Sequence, residues 1–349
     1  MGARAFKDRD FVETVDGLIF CVVGYRHPPD RVLAYLKYVP SKKGRWGTNE
    51  LRYFRTMKAY TIPELAKNIE WLKKNYPRYV YYSKVLGIEL SAVPLDAIKK
   101  HFRPEERLQE LLSASSRDEL EDEAIGLVEL LSKRSGVPLE YFGITGSVLL
   151  SIHNPKFSDI DITVYGRESS LKVKDVLLRM YQEPDSEVRR LRGERLKRWC
   201  EEKAMAYPVS KEEAKEFYRR RWNYATYKGR PFSVHPTKSD DEVTESYGDE
   251  VYEPLAIVEL EAKVDKVVED LYLPHVYLIK DVSMKKGTAK GVKELVTQEG
   301  FYGGIEEDER IVVRGKLEKV TKASGEAYHR VFVGSPEAKG LDFIKPRLS

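Results

Sequence analysis

The sequence predicts an α+β protein in three consecutive parts: an N-terminal α/β region over 1–115, a mixed α/β core over 116–238 and a C-terminal β-domain over 249–349. Three observations predict it. Apolar residues recur at helical spacing through the first two parts. The period switches to two beyond residue 250. Two polar, turn-rich stretches, 103–119 (RPEERLQELLSASSRDE) and 239–250 (SDDEVTESYGDE), separate the parts. A chain of 349 residues is long enough for two or three cores.

Taken in order, residues 17–23 (GLIFCVV) and 32–39 (VLAYLKYV, closed by Pro40) are β-rich apolar runs. The basic loop 41–49 (SKKGRWGTN) reads as solvated charge. Thr61 with Glu64 three residues on marks a helix start, and Tyr76-Pro77 ends that helix near residue 75. One short helix falls within 103–119. A second, over 118–134, places Leu120, Ala124, Leu127, Val128 and Leu131 on one face and stops at Ser135-Gly136. A strand over 141–144, a long charged helical stretch over 169–222 and a strand over 230–236 (RPFSVHP) complete the core. Beyond it, 255–264, 276–282, 311–320 and 328–333 are strands of a small β-barrel or sandwich. An oligonucleotide-binding-type barrel is one of the small barrels this pattern fits.

Composition excludes several classes. No apolar run approaches the roughly 18 residues that span a bilayer, so no membrane association is expected. No apolar segment follows the basic residues of MGARAFKDRDF, so no secretory signal is expected, and the sixth residue is not the Ser or Thr of a myristoylation motif. Cys21 and Cys200 make neither a disulfide framework nor a metal site and fit a cytoplasmic protein. His27, His153 and His275 lack partners at zinc-ligand spacing. No P-loop or dinucleotide-binding glycine pattern is present. Five Asn and three Gln against 60 Lys+Arg and 56 Asp+Glu is the bias of thermophile proteins.

Residues 143–166 (GITGSVLLSIHNPKFSDIDITVYG) carry the chemistry. A strand ends at Ile144, a Gly146-Ser147 turn follows, and a short helix begins at Val148. Asp159 and Asp161 alternate with Ile160 and Ile162, which fits a strand with both carboxylates on one face and the isoleucines in the core. Two such carboxylates stand about 7 Å apart and can share hard divalent cations. Gly146 permits close backbone approach, and the Ser147 hydroxyl suits a phosphate. Metal-binding acids facing a phosphate cradle are what phosphoryl or nucleotidyl transfer requires.

Gly146-Ser147, eleven intervening residues and then Asp159-Ile160-Asp161-Ile162 resembles the signature of the DNA polymerase beta nucleotidyltransferase superfamily. The wording Ser158-Asp159-Ile160-Asp161 is especially similar to its minimal nucleotidyltransferases and CCA-adding enzymes. The chain as a whole resembles an uncharacterised group of archaeal proteins known only as predicted nucleotidyltransferases. The resemblance implies a polymerase beta-like palm over about 120–238. It implies that Ser147 contacts the triphosphate of an NTP and that Asp159 and Asp161 are catalytic, holding two Mg²⁺ (or Mn²⁺) ions. One ion would position the triphosphate and the other would activate an acceptor hydroxyl for in-line attack, with release of pyrophosphate. Members usually carry a third carboxylate on a later strand. Here Phe232-Ser233-Val234-His235-Pro236 puts Ser233 in that place, with His235 on the same face; Asp240, Asp241, Glu259 and Glu261 are further candidates.

Residues 187–230 hold fourteen Lys+Arg and seven Asp+Glu inside a chain whose net charge is only +4. Arg189, Arg190, Arg192, Arg195, Lys197 and Arg198 are expected on one helix directly after the catalytic strand, as a face for the nucleotide (Arg189, Arg192) and for nucleic acid (Arg195, Arg198). Arg219, Arg220 and Arg221 with Trp222 form a second basic, aromatic cluster that suits RNA or DNA. The same three arginines also fit plain macrodipole complementation, since Ser210 caps that helix and Glu212, Glu213 and Glu216 open it. The functions these features allow are NMP transfer from an NTP to a nucleic-acid hydroxyl, nucleic-acid binding on a fold that has lost turnover, metal-dependent phosphodiester cleavage, and NMP transfer to a protein side chain.

Overall fold

The computed structural model describes residues 4–47 and 51–347. The first residues of the MGARAF start and the Thr48-Asn49 end of the basic loop lie outside the described residues. The protein is a mixed α+β chain that divides into two compact units, each assembled from separated pieces of sequence. The first takes 1–56, 91–191 and 222–244; the second takes 57–90, 192–221 and 245–349. The N-terminal strands and the 116–238 core thus share a unit, while the helices after residue 192 cluster with the C-terminal strands.

In the first unit one sheet is built on strands Phe11–Thr14, Ile19–Val22, Arg31–Pro40 and Arg52–Arg55, with Ile98–Phe102 along its far edge. A second, five-stranded sheet runs in the order Val188–Arg189, Tyr224–Tyr227, Arg230–Thr237, Ile160–Tyr165, Phe142–Ile144. Its central pair, Ile160–Tyr165 with Arg230–Thr237, is parallel. Parallel neighbours need a long crossover, which here includes helix Arg167–Met180. Ile160, Ile162, Val164, Phe232 and Val234 are all fully buried.

Helix Glu119–Ser135 buries Leu120, Ala124, Leu127, Val128 and Leu131, the face its spacing predicts. Asp118 caps it by accepting from the Glu121 N–H, the Glu121 side chain answers at the Asp118 N–H, and Gly136 closes it at φ 71°. The second carboxylate oxygen of Asp118 also meets His153 Nε2 at 2.8 Å, so the cap ties this helix to the loop before Asp159. Asp118→Ala is expected to lower stability by about 1–2 kcal/mol, read as a shift in the denaturant midpoint at unchanged m. A change within error would show that the cap contributes nothing.

The charged stretch 169–222 is not one helical run. Val188–Arg189 is an edge strand paired with Tyr227 and Thr226, and helix Gly193–Ala206 begins only at Gly193, where φ is 54°. Of the six residues expected on one helix, Arg189, Arg190 and Arg192 precede it. Burial of Val188 and the Arg189 carbonyl's bond from Thr226 Oγ1 (3.0 Å) outweigh helix propensity there.

The second unit contains helices Ile62–Asn75, Gly193–Ala206 and Lys211–Arg220 and the C-terminal strands. Helix Lys211–Arg220 carries the capping box of Ser210 and Glu213. The four period-two runs are strands Glu250–Glu269, His275–Lys286, Arg310–Lys322 and Ala327–Val333. Val292–Thr297 and Phe343–Pro346 are further strands beyond those expected. Among the described residues, no helix is long and apolar enough to cross a membrane.

Candidate functional site

The five-stranded sheet of the first unit places the motif. Ile160 and Ile162 point into the core, so Asp161 faces the other way, and Asp159 sits at the strand's exposed entrance. The helix expected from Val148 starts two residues earlier, as Gly146–Leu149. Gly146 adopts φ +69°, and a Cβ there would stand 2.5 Å from Asp161 Oδ2. The Thr145 N–H donates to the Asp161 carbonyl at 2.9 Å, which fixes the turn against the strand. Ser147 is buried beside Gly146.

Parallel register sets Ser233 directly beside Asp161, and His235 beside Thr163. The Ser233 hydroxyl donates to Asp161 Oδ1, and His235 Nε2 lies 2.8 Å from Ser233 Oγ and 3.5 Å from Asp161 Oδ1. Gly146, Asp161, Ser233 and His235 therefore converge, with Ser147 following Gly146 and Asp159 two residues before Asp161.

The two carboxylates are electrostatically unlike. The negative charge of Asp161, and then partial loss of water around the carboxylate, push Asp159 up to about 6, with Lys37 and Arg55 opposing. Burial alone would raise Asp161, but the hydrogen bond and charge of His235, the Lys37 charge and the Ser233 hydrogen bond outweigh it and hold Asp161 well below the usual carboxylate range. Burial, then the Arg9 charge, lowers His235 against the pull of Asp161.

A carboxyl whose folded pKa is raised binds its proton more tightly folded than unfolded. Its favourable contribution is complete below about pH 4 and is lost as pH rises through about 6. In metal-free buffer Asp159→Asn is thus expected to melt above the wild type at pH 8, with the gap closing at pH 4. Equal melting at pH 8 would mean that the two carboxylates do not repel.

The remaining basic candidates lie elsewhere. Arg189 is exposed on the edge strand of the same sheet and donates to the Pro184 carbonyl at 2.7 Å. Arg192, Arg195 and Arg198 are exposed and belong to the second unit. So do Arg219, which pairs with Glu216 at 2.8 Å, Arg220, which pairs with Glu216 and Glu309 at 2.8 and 2.7 Å, and Arg221, which donates to the Gly300 carbonyl at 3.2 Å. Trp222 is buried in the first unit. The 219–222 cluster is thus largely engaged in packing and ion pairs, as macrodipole complementation anticipates.

Lys37, Arg55 and Arg9 were not among the sequence candidates, yet their charges act on the aspartate–histidine cluster. No local pattern marks them, because strand pairing between distant segments brings them there. Among the described residues, no group of three or more His, Cys, Asp or Glu side chains is placed to hold a metal.

No protein-family model matches the chain, and no solved structure does. It is 30% identical over 340 residues to Uncharacterized protein MJ1086 of Methanocaldococcus jannaschii, across 97% of this chain and 98% of that protein. The alignment runs through both compact units, and the chain belongs to the same family as that archaeal protein.

Proposed function

We propose that the first unit is a metal-dependent nucleotidyltransferase that moves an NMP from an NTP to a hydroxyl acceptor, RNA or another nucleic acid. The observation that carries this reading is the packing of the Gly146-Ser147 turn on the Asp161 carboxylate, with Asp159 beside it. The parallel pairing of Ile160–Tyr165 with Arg230–Thr237 supports this reading by setting Ser233 next to Asp161, in the place where the resemblance puts a third acid. In the reaction the acceptor hydroxyl gives up its proton to solvent, its oxygen bonds to the α-phosphorus as the bond from that phosphorus to the α–β bridging oxygen breaks, and the electron pair leaves with pyrophosphate.

The donor set fits one hard divalent cation. Two carboxylates whose mutual repulsion raises Asp159 leave an excess of negative charge that Mg²⁺ or Mn²⁺ would relieve. Asp159 and Asp161 would hold the ion, which would neutralise phosphate charge and acidify the acceptor hydroxyl. In the third place Ser233 donates a hydrogen bond to Asp161, and an imidazole such as His235 is a poor Mg²⁺ ligand. Ser233 and His235 thus act by orienting Asp161, while Ser147 would contact the triphosphate.

The C-terminal strands support a role in holding the acceptor. Pairing runs from Glu250–Glu269 to His275–Lys286, Val292–Thr297, Ala327–Val333, Arg310–Lys322 and back to Glu250–Glu269. We read this ring, with its one parallel pair, as an oligonucleotide-binding-type barrel. Lys285, Lys286, Lys290 and Lys293 are exposed along one of its turns, and Arg195 and Arg198 are exposed in the same unit.

One observation favours a second reading, a nucleic-acid-binding protein with little turnover: Ser233 stands where a third acid would complete a two-metal site. Incubation with each α-labelled NTP, Mg²⁺ or Mn²⁺, and RNA, DNA or total protein separates the two. Label incorporation that is lost in the double variant Asp159→Ala, Asp161→Ala supports transfer. Acceptor binding without incorporation, unchanged by the double variant, supports the second reading. Acceptor shortening that needs both acids would replace transfer with hydrolysis.

A further inference from the structure

The N-terminal sheet carries two basic side chains whose charges act on the carboxylate pair. Strand Ile19–Val22 pairs with Arg31–Pro40 so that Phe20 faces Leu36 but Ile19 faces Tyr38. Lys37 is therefore the extra residue of a β-bulge, a device that re-aims a side chain. Its Nζ lies 4.9 Å from the centre of the Phe11 ring and 5.9 Å from that of Tyr38, and the residue is only 8% exposed. Phe11 and Tyr38 belong to the cluster that packs on Leu149, Leu150 and Ile152, at the end of the Gly146–Leu149 helix. Arg55 is Tyr38's partner on the next strand, and the Thr56 N–H donates to the Lys37 carbonyl at 3.1 Å, so the two basic residues lie side by side.

The sheet is fastened to the motif at several points. Thr145 Oγ1 donates to the Arg9 carbonyl at 2.7 Å, and the Gly47 N–H donates to the Ile152 carbonyl at 2.8 Å. Trp46 meets Phe157 edge-on at 5.8 Å. The Lys37 charge reaches both aspartates, and that of Arg55 reaches Asp159.

An ammonium is costly to bury, and the charge that this one exerts on two carboxylates can be put to two uses. It could serve only as their counter-charge. A fixed cation in that role, however, would oppose the divalent ion that the same acids are read as holding. A polyphosphate that brings its own cation has use for both signs: the acids take the metal, and the lysine and arginine take the phosphate oxygens.

We propose that Lys37 and Arg55 bind the terminal phosphates of a nucleoside triphosphate, which makes the N-terminal sheet the anion-binding half of the site. This rests on the nucleotidyl-transfer reading for the identity of the ligand.

Calorimetric titration of the full chain with Mg²⁺-tripolyphosphate, and separately with Mn²⁺ alone, tests it in wild type, Lys37→Met, Lys37→Arg and Arg55→Gln. Circular dichroism checks each fold, and NMP incorporation is measured in parallel. Lys37→Met and Arg55→Gln are each expected to weaken tripolyphosphate about tenfold or more, Lys37→Arg to keep most of the affinity, and Mn²⁺ affinity not to fall. If Lys37→Met does not fold, Lys37→Arg and the partly exposed Arg55→Gln carry the comparison. Unchanged tripolyphosphate affinity with tighter Mn²⁺ binding would make Lys37 a counter-charge and overturn the proposal, as would a wild type that binds no tripolyphosphate. Incorporation with unchanged tripolyphosphate binding in the variants overturns this proposal and leaves transfer standing. Tripolyphosphate binding that needs Lys37, without any incorporation, upholds the anion site and removes transfer.

Discussion

Asp161→Asn is expected to cut incorporation of α-labelled NMP by a factor on the order of 10²–10³ while the chain keeps its fold. The substitution preserves shape, and an amide oxygen can still accept from Ser233. What it removes is the charge that the site is built around. His235, Lys37 and Ser233 together hold Asp161 ionised despite its burial, and Asp161 in turn is the largest cause of the rise at Asp159. With asparagine at 161, Asp159 should ionise closer to the ordinary carboxylate range, and the pair should lose most of its affinity for a divalent ion. Carbon-detected NMR of the Asp159 carboxyl against pH reads the first effect. Titration with Mn²⁺ reads the second. A variant with wild-type incorporation would remove Asp161 from the catalytic role.

How legible this was differs from element to element. Helix Glu119–Ser135 could be read because its apolar positions, acidic cap and closing Gly136 agree, so local preference and tertiary burial point the same way. The motif strand could be read because Asp159 and Asp161 alternate with two residues that can only be core. The parallel register sets Ser233 beside Asp161, whereas the sequence pattern offers only its place in a short apolar run ending in Pro236. The run 189–198 misled because arginine favours helices while the decisive factor was Val188, which pairs with Tyr227, a residue far along the chain. Val292–Thr297 (VKELVT) and Phe343–Pro346 (FIKP) have no clean alternation: Leu295 and Val296 are adjacent and both buried, and a lysine and a proline close the second run. The two-unit division and the approach of Lys37 were hidden for a common reason. Both arise from pairings between distant segments, and a bulge leaves no local mark in VLAYLKYV.

Gly146→Ala should be the most damaging of the small substitutions, and Gly136→Ala separates its two effects. Both glycines hold nearly the same left-handed backbone, φ +69° and φ +71°. Alanine there costs roughly 1–2 kcal/mol through backbone strain alone. At Gly136 a Cβ meets nothing within 4 Å, so strain is the whole effect: stability should fall by about that amount and incorporation should be untouched. At Gly146 the added carbon would stand 2.5 Å from Asp161 Oδ2 and 3.3 Å from Asp161 Cβ. The carboxylate cannot easily retreat, because Ser233 and His235 hold it from one side and the Thr145 N–H holds its backbone. Gly146→Ala should therefore lose at least as much stability as Gly136→Ala. It should also lose incorporation by about 10²-fold, since a displacement near 1 Å at reacting groups has that effect. The comparison rests on denaturation midpoints and labelled-NMP incorporation for the two variants side by side. If both lose stability equally and both retain full incorporation, the contact between Gly146 and Asp161 has no part in the chemistry, and the turn is only a turn.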